Sequence, residues 1–515
     1  MRARTLPHAL LLLAGLSMAA CAADGGTGFA EPDAGCTGPS CRTIDAGTEP
    51  EAATVDGGEA GAPLMVCDVK TFGAVGDGKA KDTRAIQAAI DACAASASGG
   101  VVKLHDGTFL SGTVKLASNL VLDIAPTATL LGSQNPADYP DQNPPFQSSQ
   151  LGNCKRALVY AEGATHVRIE GGGTIAGNAR GVADWNGNKI KEALRPMAVF
   201  VAGGTDVTVQ NLTVKDAATW AVVVMEVTHA AIRKLTVSTD LGPTHDGIDV
   251  VDGRDVVVED CNVTSGDDSI CLKSGSVRGL HDVVVRRCQT NQSGVANGVK
   301  LGTASVGAFE NILVEDVAIR NAQSAAMAVE SVDGALVSNV TFRRITVDNT
   351  GTPFFVLLGS RDRDPTRVGR IDGLAFENIT GRNLRYAWGS LVTGTKIADT
   401  TFGISNIAFR NIDIAFKGSG IPANPAPFTD DNFPEYQGPV PGRAGQFYNQ
   451  YPDAKFIAGT GGGENIAYHG PGWGFFLRHA SNVSFQNCKV TVSPVDPRPW
   501  LDTKDTVAVT GTCGP

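Results

Sequence analysis

From residue 166 onward the chain returns again and again to one short pattern: HVRIEGGGTIAG at 166, DVTVQNLTVKDA at 206, HAAIRKLTVSTD at 229, DVVVEDCNVTSGDD at 255, DVVVRRCQTNQSG at 282, NILVEDVAIRNAQ at 311, NVTFRRITVDNTG at 339, NIAFRNIDIAFKG at 406 and NVSFQNCKVTVSP at 482. Through the middle the period is about 23 to 29 residues. Each unit is an Asp or Asn, a β-branched strand, a polar corner and a second short strand. One such unit cannot cover its own apolar edges, so it is stable only when the next unit stacks on it. No long amphipathic helix separates the units, which argues against a (β/α) barrel or a doubly wound sheet. The expected fold is all-β, a right-handed parallel β-helix.

Within this coil one stretch concentrates acid. Residues 243–275, PTHDGIDVVDGRDVVVEDCNVTSGDDSICLKSG, hold Asp246 with Asp249 and Asp267 with Asp268 on either side of a valine-rich strand. Asp246 and Asp267 are 21 residues apart, close to one turn, so the two groups are expected on neighbouring rungs about 4.8 Å apart. Three readings compete: an exposed acidic corner, a calcium site built from hard oxygen ligands, and catalysis. Carboxylates crowded together cannot all ionise freely, and a pair with one protonated and one charged member suits acid/base cleavage of a glycosidic bond. Two tight groups one turn apart, each bracketed by glycine (Asp246-Gly247 and Gly266-Asp267), fit catalysis best.

The flanks bound the rest. Residues 1–21 carry Arg2 and Arg4, then an apolar run from Ala9 to Leu16, then small residues ending at Cys21. This reads as an export signal, too short for a membrane-spanning helix. Met18 to Cys21, MAAC, resembles a lipobox and marks Cys21 as a candidate lipid anchor, with ordinary secretion as the alternative. Residues 22–64 hold eight acids against one arginine and almost no large apolar side chain, the composition of a disordered acidic linker. The folded domain is expected over 65–515. The formal net charge of −10 excludes a basic nucleic-acid surface.

The domain opens with a turn and then TRAIQAAIDACAA, where Ile86, Ala89, Ile90 and Cys93 share a helical face and Asp82 or Thr83 caps the first turn. Such a helix suits a lid over the open end of the solenoid. Asn211, Asn262, Asn291, Asn339, Asn378 and Asn482 all begin N-x-S/T triplets. Because they recur at the corner or start of a turn, stacked side-chain ladders explain them better than glycosylation. Export permits disulfides: Cys67 with Cys93 and Cys488 with Cys513 are the expected pairs, Cys36 and Cys41 could close a small loop, and Cys261 and Cys288, in equivalent places one turn apart, are expected as buried thiols. Between about Gly420 and Gly474 the rhythm breaks into Pro, Gly and aromatics (Phe428, Phe433, Tyr436, Phe447, Tyr448, Tyr451, Trp473). Packing against the solenoid and stacking on sugar rings are both open there.

The paired acid motifs PTHDGID and SGDDSICLKSG resemble glycoside hydrolase family 28, the polygalacturonases and relatives, in which N-T-D-G-x-D precedes G-D-D-x-I-A-I-K-S-G by about one turn. The resemblance extends from about residue 66 to the C-terminus and includes VKTFGAVGDGKAKDTRAIQAAIDAC, TFLSGTVKLASNLVLDIAPTATLLGS and the YPD and GWGFFLRH stretches. It implies an exported pectin hydrolase acting on galacturonic-acid-containing polysaccharide by direct displacement with inversion. Asp267 would be the general acid, Asp246 and Asp268 would hold and deprotonate water, and neither a metal nor an organic cofactor is needed. The expected partner is the polysaccharide alone, with the chain a monomer. A polysaccharide lyase and a non-catalytic carbohydrate-binding solenoid are the alternatives. Three positions depart from the family: Thr244-His245-Asp246 replaces N-T-D, Ala296-Asn297-Gly298 replaces G-H-G, and Ala328-Val329-Glu330 falls where R-I-K would grip a substrate carboxylate. His245, Asp249, Lys273, Asn297, Lys300 and Glu330 are the candidate substrate-binding residues. Lys300 and Lys273 are expected to replace the missing cations, unless Lys300 is a solvated surface lysine and His245 a hydrogen-bonded corner residue.

Overall fold

Successive turns of the chain pair edge to edge in parallel through almost the whole folded part. A computed structural model describes residues 64–514 except 153–154, 183–184, 186–193, 293, 295, 361–363, 398 and 421–470. The expected leader, lipid anchor, Cys36–Cys41 loop and nearly all of the acidic linker lie outside the described residues, as do the aromatics of 428–451. Among the described residues one face is a sheet of 12 strands. It runs from Val114–Leu116 through Ala157–Glu162, Met197–Ala202, Val222–Met225, Ile248–Val251, Ile270–Ser274, Val299–Ser305, Ala325–Ser331, Thr352–Leu358, Ser390–Thr393 and Phe475–Arg478 to Leu501–Lys504. A larger sheet of 22 strands carries the repeats themselves. The architecture is the expected right-handed parallel β-helix.

Alternation explains the packing, because successive side chains of a strand point to opposite faces. Val222, Val224, Ile248, Val250, Ile270, Leu272, Val299 and Leu301 point into the solenoid core. Toward the C-terminus that core is a stack of rings in register, Phe342, Phe376, Phe409 and Phe485, with centroids 5.3, 5.2 and 5.1 Å apart. At the corners the Asn residues take φ near +50 to +60° and their amides pass hydrogen bonds along the coil: Asn339 to Asn311 at 2.8 Å, Asn411 to Asn378 at 2.8 Å and Asn487 to Asn411 at 2.7 Å. Asn tolerates this left-handed backbone better than most residues; Asn262 and Asn291, outside that region, also join side chain to side chain, as do Asn482 and Asn406, so ladders account for the triplets at 262, 291, 339, 378 and 482. On the outer surface, acidic and basic rungs alternate: Arg287 pairs with Asp260, and Arg344 with Asp316.

The helix Thr83–Ala94 turns Ile86, Ala89, Ile90 and Cys93 into the core, as its spacing requires. Its cap differs from expectation. Asp82 makes no side-chain cap bond; its carboxylate instead accepts Val75 N at 2.7 Å and Gly76 N at 3.0 Å, tying down the preceding turn, while Thr83 Oγ1 accepts Gly112 N at 2.9 Å. Disulfides join Cys67 to Cys93 and Cys488 to Cys513, and Cys261 and Cys288 are buried free thiols. Trp473 packs edge-on against Phe416 at 5.9 Å, the packing reading for that aromatic.

Candidate active site

The acids lie where the 12-stranded sheet begins on successive turns. Val222 pairs with Ile248, Ile248 with Ile270 and Ile270 with Val299. Two positions earlier on those same rungs stand Trp220, Asp246, Asp268 and Asn297, which therefore form one column. The neighbouring column on this outer face is Val223, Asp249, Cys271 and Lys300. Gly247 lets the rungs close up between Asp246 and Asp268, since a Cβ there would lie 2.5 Å from the Ser269 carbonyl oxygen.

Each carboxylate has a different set of neighbours. Asp268 Oδ1 accepts hydrogen bonds from Asn297 N at 3.1 Å and Asn297 Nδ2 at 2.8 Å, and its Oδ2 is 3.3 Å from Lys300 Nζ. The Asn297 amide cannot turn over, because its Oδ1 accepts Ala325 N at 3.0 Å. Lys300 Nζ also faces Glu330 Oε1 at 3.5 Å, and Thr303 Oγ1 donates to Glu330 Oε2 at 3.2 Å. Lys273 Nζ donates to Asp246 Oδ2 at 2.7 Å and to Asp249 Oδ1, and lies 4.0 Å from the centre of the Trp220 ring. Asp267 accepts two backbone donors, Thr244 N at 2.8 Å and Asp268 N at 3.0 Å, and makes no ion pair among the described residues.

Adjacent residues are thereby driven in opposite directions. Burial, reinforced by the charges of Asp246 and Asp268, pushes Asp267 up to about 8, so it keeps its proton at neutral pH. Burial would raise Asp268 as well, but Lys300, then Lys273 and the two Asn297 donors, hold it below the usual carboxylate value. Burial lifts Asp246 well above its ordinary range and Asp249 to about 6 in spite of Lys273. The two acids in turn keep Lys273 charged against its own burial. One ammonium shared by two buried carboxylates leaves one of them drawn toward the protonated form. Burial also lowers His245, which is neutral at neutral pH. Its Nδ1 donates to the carbonyls of Gly242 and Pro243 at 3.1 and 3.0 Å, so Nε2 is an acceptor, buried and unpartnered like Asp249 Oδ2.

The residues singled out from sequence thus gather into one connected cluster, with His245 at its edge. Lys300 is 5 % exposed and Glu330 1 %, so neither is a solvated surface group, and Lys300 is engaged by two carboxylates. Asp246, Asp249 and Cys271 each place one ligand atom within 4.8 Å of the others, close enough for a metal ion, yet the Lys273 ammonium takes the position between the two carboxylates. Sequence reading missed Trp220 beneath Lys273, Thr303 against Glu330, and Arg195, whose Nη2 donates to Thr244 Oγ1 at 2.7 Å beside Asp267. Trp220 was reachable by aligning the turns, because it opens WAVVV as Asp246 opens DGIDVV.

Known proteins share this chain's sequence pattern and fold. The family model described as Glycosyl hydrolases family 28 matches residues 102–423, and one described as Rhamnogalacturonase A/epimerase, pectate lyase-like, matches 66–129. A protein of Vitis vinifera named "Probable polygalacturonase" is 26 % identical over 401 residues, 71 % of this chain and 80 % of that protein. An endo-polygalacturonase of Pectobacterium carotovorum subsp. carotovorum is 23 % identical over 359 residues, 64 % of this chain and 87 % of that one. Among solved structures, the family 28 exopolygalacturonase of Yersinia enterocolitica superposes with a TM-score of 0.60 at 17 % identity, covering 87 % of this chain and 78 % of the other.

Proposed function

This chain belongs to glycosyl hydrolases family 28, and from that premise we propose that it hydrolyses galacturonate-containing pectic polysaccharide with inversion at the anomeric carbon. The observation that carries the assignment of roles is the opposite environment of two adjacent residues, Asp267 held neutral by burial and Asp268 held ionised by Lys300 and Asn297. Separating the pKa values of neighbouring acids assigns acid and base. Asp267 gives its proton to the glycosidic oxygen as the bond to the anomeric carbon breaks. A water between Asp268 and Asp246 attacks that carbon from the opposite face and passes its proton to Asp268. His245, with its lone acceptor Nε2, and Asp249, Lys273, Asn297, Lys300 and Glu330 shape the surrounding subsites. Residues 1–21 support export, and the Met18–Cys21 sequence supports a lipid anchor at Cys21, so the enzyme is a cell-envelope lipoprotein or, without the anchor, secreted; Cys21→Ser should release an anchored enzyme from membranes.

The test is reducing-sugar release from a pectin panel, with the first-formed anomer followed by NMR. Asp267→Asn should lower kcat by roughly 10²–10⁴-fold, the usual contribution of a positioned general acid, and the first product should carry inverted configuration. Activity within tenfold of wild type for Asp267→Asn removes it as the acid. A product bearing an unsaturated uronide would instead identify a lyase.

A further inference from the structure

Two lysines lie in the cluster of acids, and neither has charge to spare. Lys273 stands between Asp246 and Asp249, and Lys300 between Asp268 and Glu330. Two ammoniums therefore face five carboxylates, counting Asp267. With Asp267 protonated, one of the Lys273 pair protonated and Glu330 neutral as well, the balance only reaches zero; it does not become positive. Arg195, on the other side of the acids, is turned toward the carbonyls of Trp185 and Ala218 and the Thr244 hydroxyl.

Position along the coil matters equally. Asp246 and Asp268 occupy successive rungs, Lys300 the next and Glu330 the one after, with about 4.8 Å between rungs. A sugar ring has a similar span, so in a chain bound along the coil the unit next to the scissile bond on the C-terminal side would meet Lys300 and Glu330. Lys300, 5 % exposed, is about as accessible as the proposed base Asp268 at 4 %, whereas Glu330, at 1 %, is the more enclosed member of the pair. The next cation along the Glu330 column is Arg478, reached through Leu357 and Thr393 three rungs further, about 14 Å away.

We propose that the subsite over Lys300 and Glu330 selects a sugar unit without a free carboxylate, an esterified uronate or a neutral sugar, over an ionised uronate. A free uronate there must either displace Glu330 from Lys300, leaving a buried carboxylate unpaired, or face Glu330 with no cation of its own among the described residues. An ester carbonyl or a sugar hydroxyl can accept from Lys300 or donate to Glu330 without breaking the pair. Glu330 is then the specificity-determining residue, because it engages the one lysine that the described residues place on those rungs.

This inference rests on the pectic reading, and one experiment separates the two. Specificity constants are measured on homogalacturonan oligomers of equal length, free acid against methyl ester, and on oligomers alternating galacturonate with rhamnose, for wild type and Glu330→Gln. Wild type should favour the esterified or alternating oligomers by at least about tenfold, the value of one charge-assisted contact. Glu330→Gln leaves Lys300 paired with Asp268 alone and should raise kcat/KM on the free acid by a similar factor, chiefly through KM. Equal or faster cleavage of the free acid by wild type overturns the inference and leaves the pectic reading standing, and so does a free-acid to ester ratio that Glu330→Gln leaves unchanged. Failure of wild type to cut any of these oligomers overturns the pectic reading and the inference with it.

Discussion

Replacing Asn297 by alanine removes the Nδ2 donor that holds Asp268 Oδ1 at 2.8 Å, while the backbone N–H at 3.1 Å and Lys300 at 3.3 Å remain. A hydrogen bond to a charged group contributes about 1.5–3 kcal/mol, and about 1.36 kcal/mol corresponds to one pH unit of pKa. The pKa of Asp268 should therefore climb by about one to two pH units. The sign follows from the role: the ionised form is the proposed base, so a higher pKa removes base at acid pH first. The assay is the pH dependence of kcat/KM, which reports the free enzyme. Wild type should give a bell whose alkaline limb follows Asp267 near 8 and whose acid limb follows Asp268. In Asn297→Ala the acid limb should move up by about one to two pH units while the alkaline limb stays. Ala325 N also loses its acceptor, so some stability is lost, and melting temperatures at each pH separate that loss from the kinetic effect. A uniform fall in activity at every pH, with the acid limb unmoved, refutes the clamp on Asp268.

Two further outcomes follow from burial. Asp267 has its folded pKa near 8, above an unfolded value near 3.8, so the proton it holds favours the fold fully below about pH 4, and that contribution is lost as pH rises toward 8. Asp267→Asn does not titrate, so its melting temperature relative to wild type should improve steadily from about pH 4 to about pH 8; a pH-independent difference contradicts the assignment. Cys261 and Cys288 should resist thiol reagents until the protein unfolds, and peptide mapping should recover Cys67 with Cys93 and Cys488 with Cys513, each loop contributing about 3–4 kcal/mol in the chain-entropy account. Rapid labelling of either thiol in the native protein, or a Cys67–Cys261 link, would overturn this arrangement.

The coil, its capping helix, the two disulfides and the acid cluster were legible in the amino-acid sequence because each depends on residues near in sequence or on a repeated spacing. Strand alternation and the Asn corners recur turn after turn, Ile86 to Cys93 share a face by helical period, and Asp267 and Asp268 are covalent neighbours. The family resemblance carried the roles of Asp246, Asp267 and Asp268 onto this frame. Which side chain meets which lysine was not legible, because the turns differ in length. Ile248 to Ile270 closes one turn and Ile270 to Val299 a longer one, and the register slips between Leu272 and Ser274 on the following rung. Counting residues does not give the pairing across turns of unequal length, yet that pairing sets Lys273 between Asp246 and Asp249 over Trp220, and Lys300 between Asp268 and Glu330. Sequence alone thus determined the solenoid and the acids it would gather. Only the stacking of the turns decided which acid keeps its proton, because buried charge responds to neighbours a few ångströms away across rungs that the chain reaches more than twenty residues later.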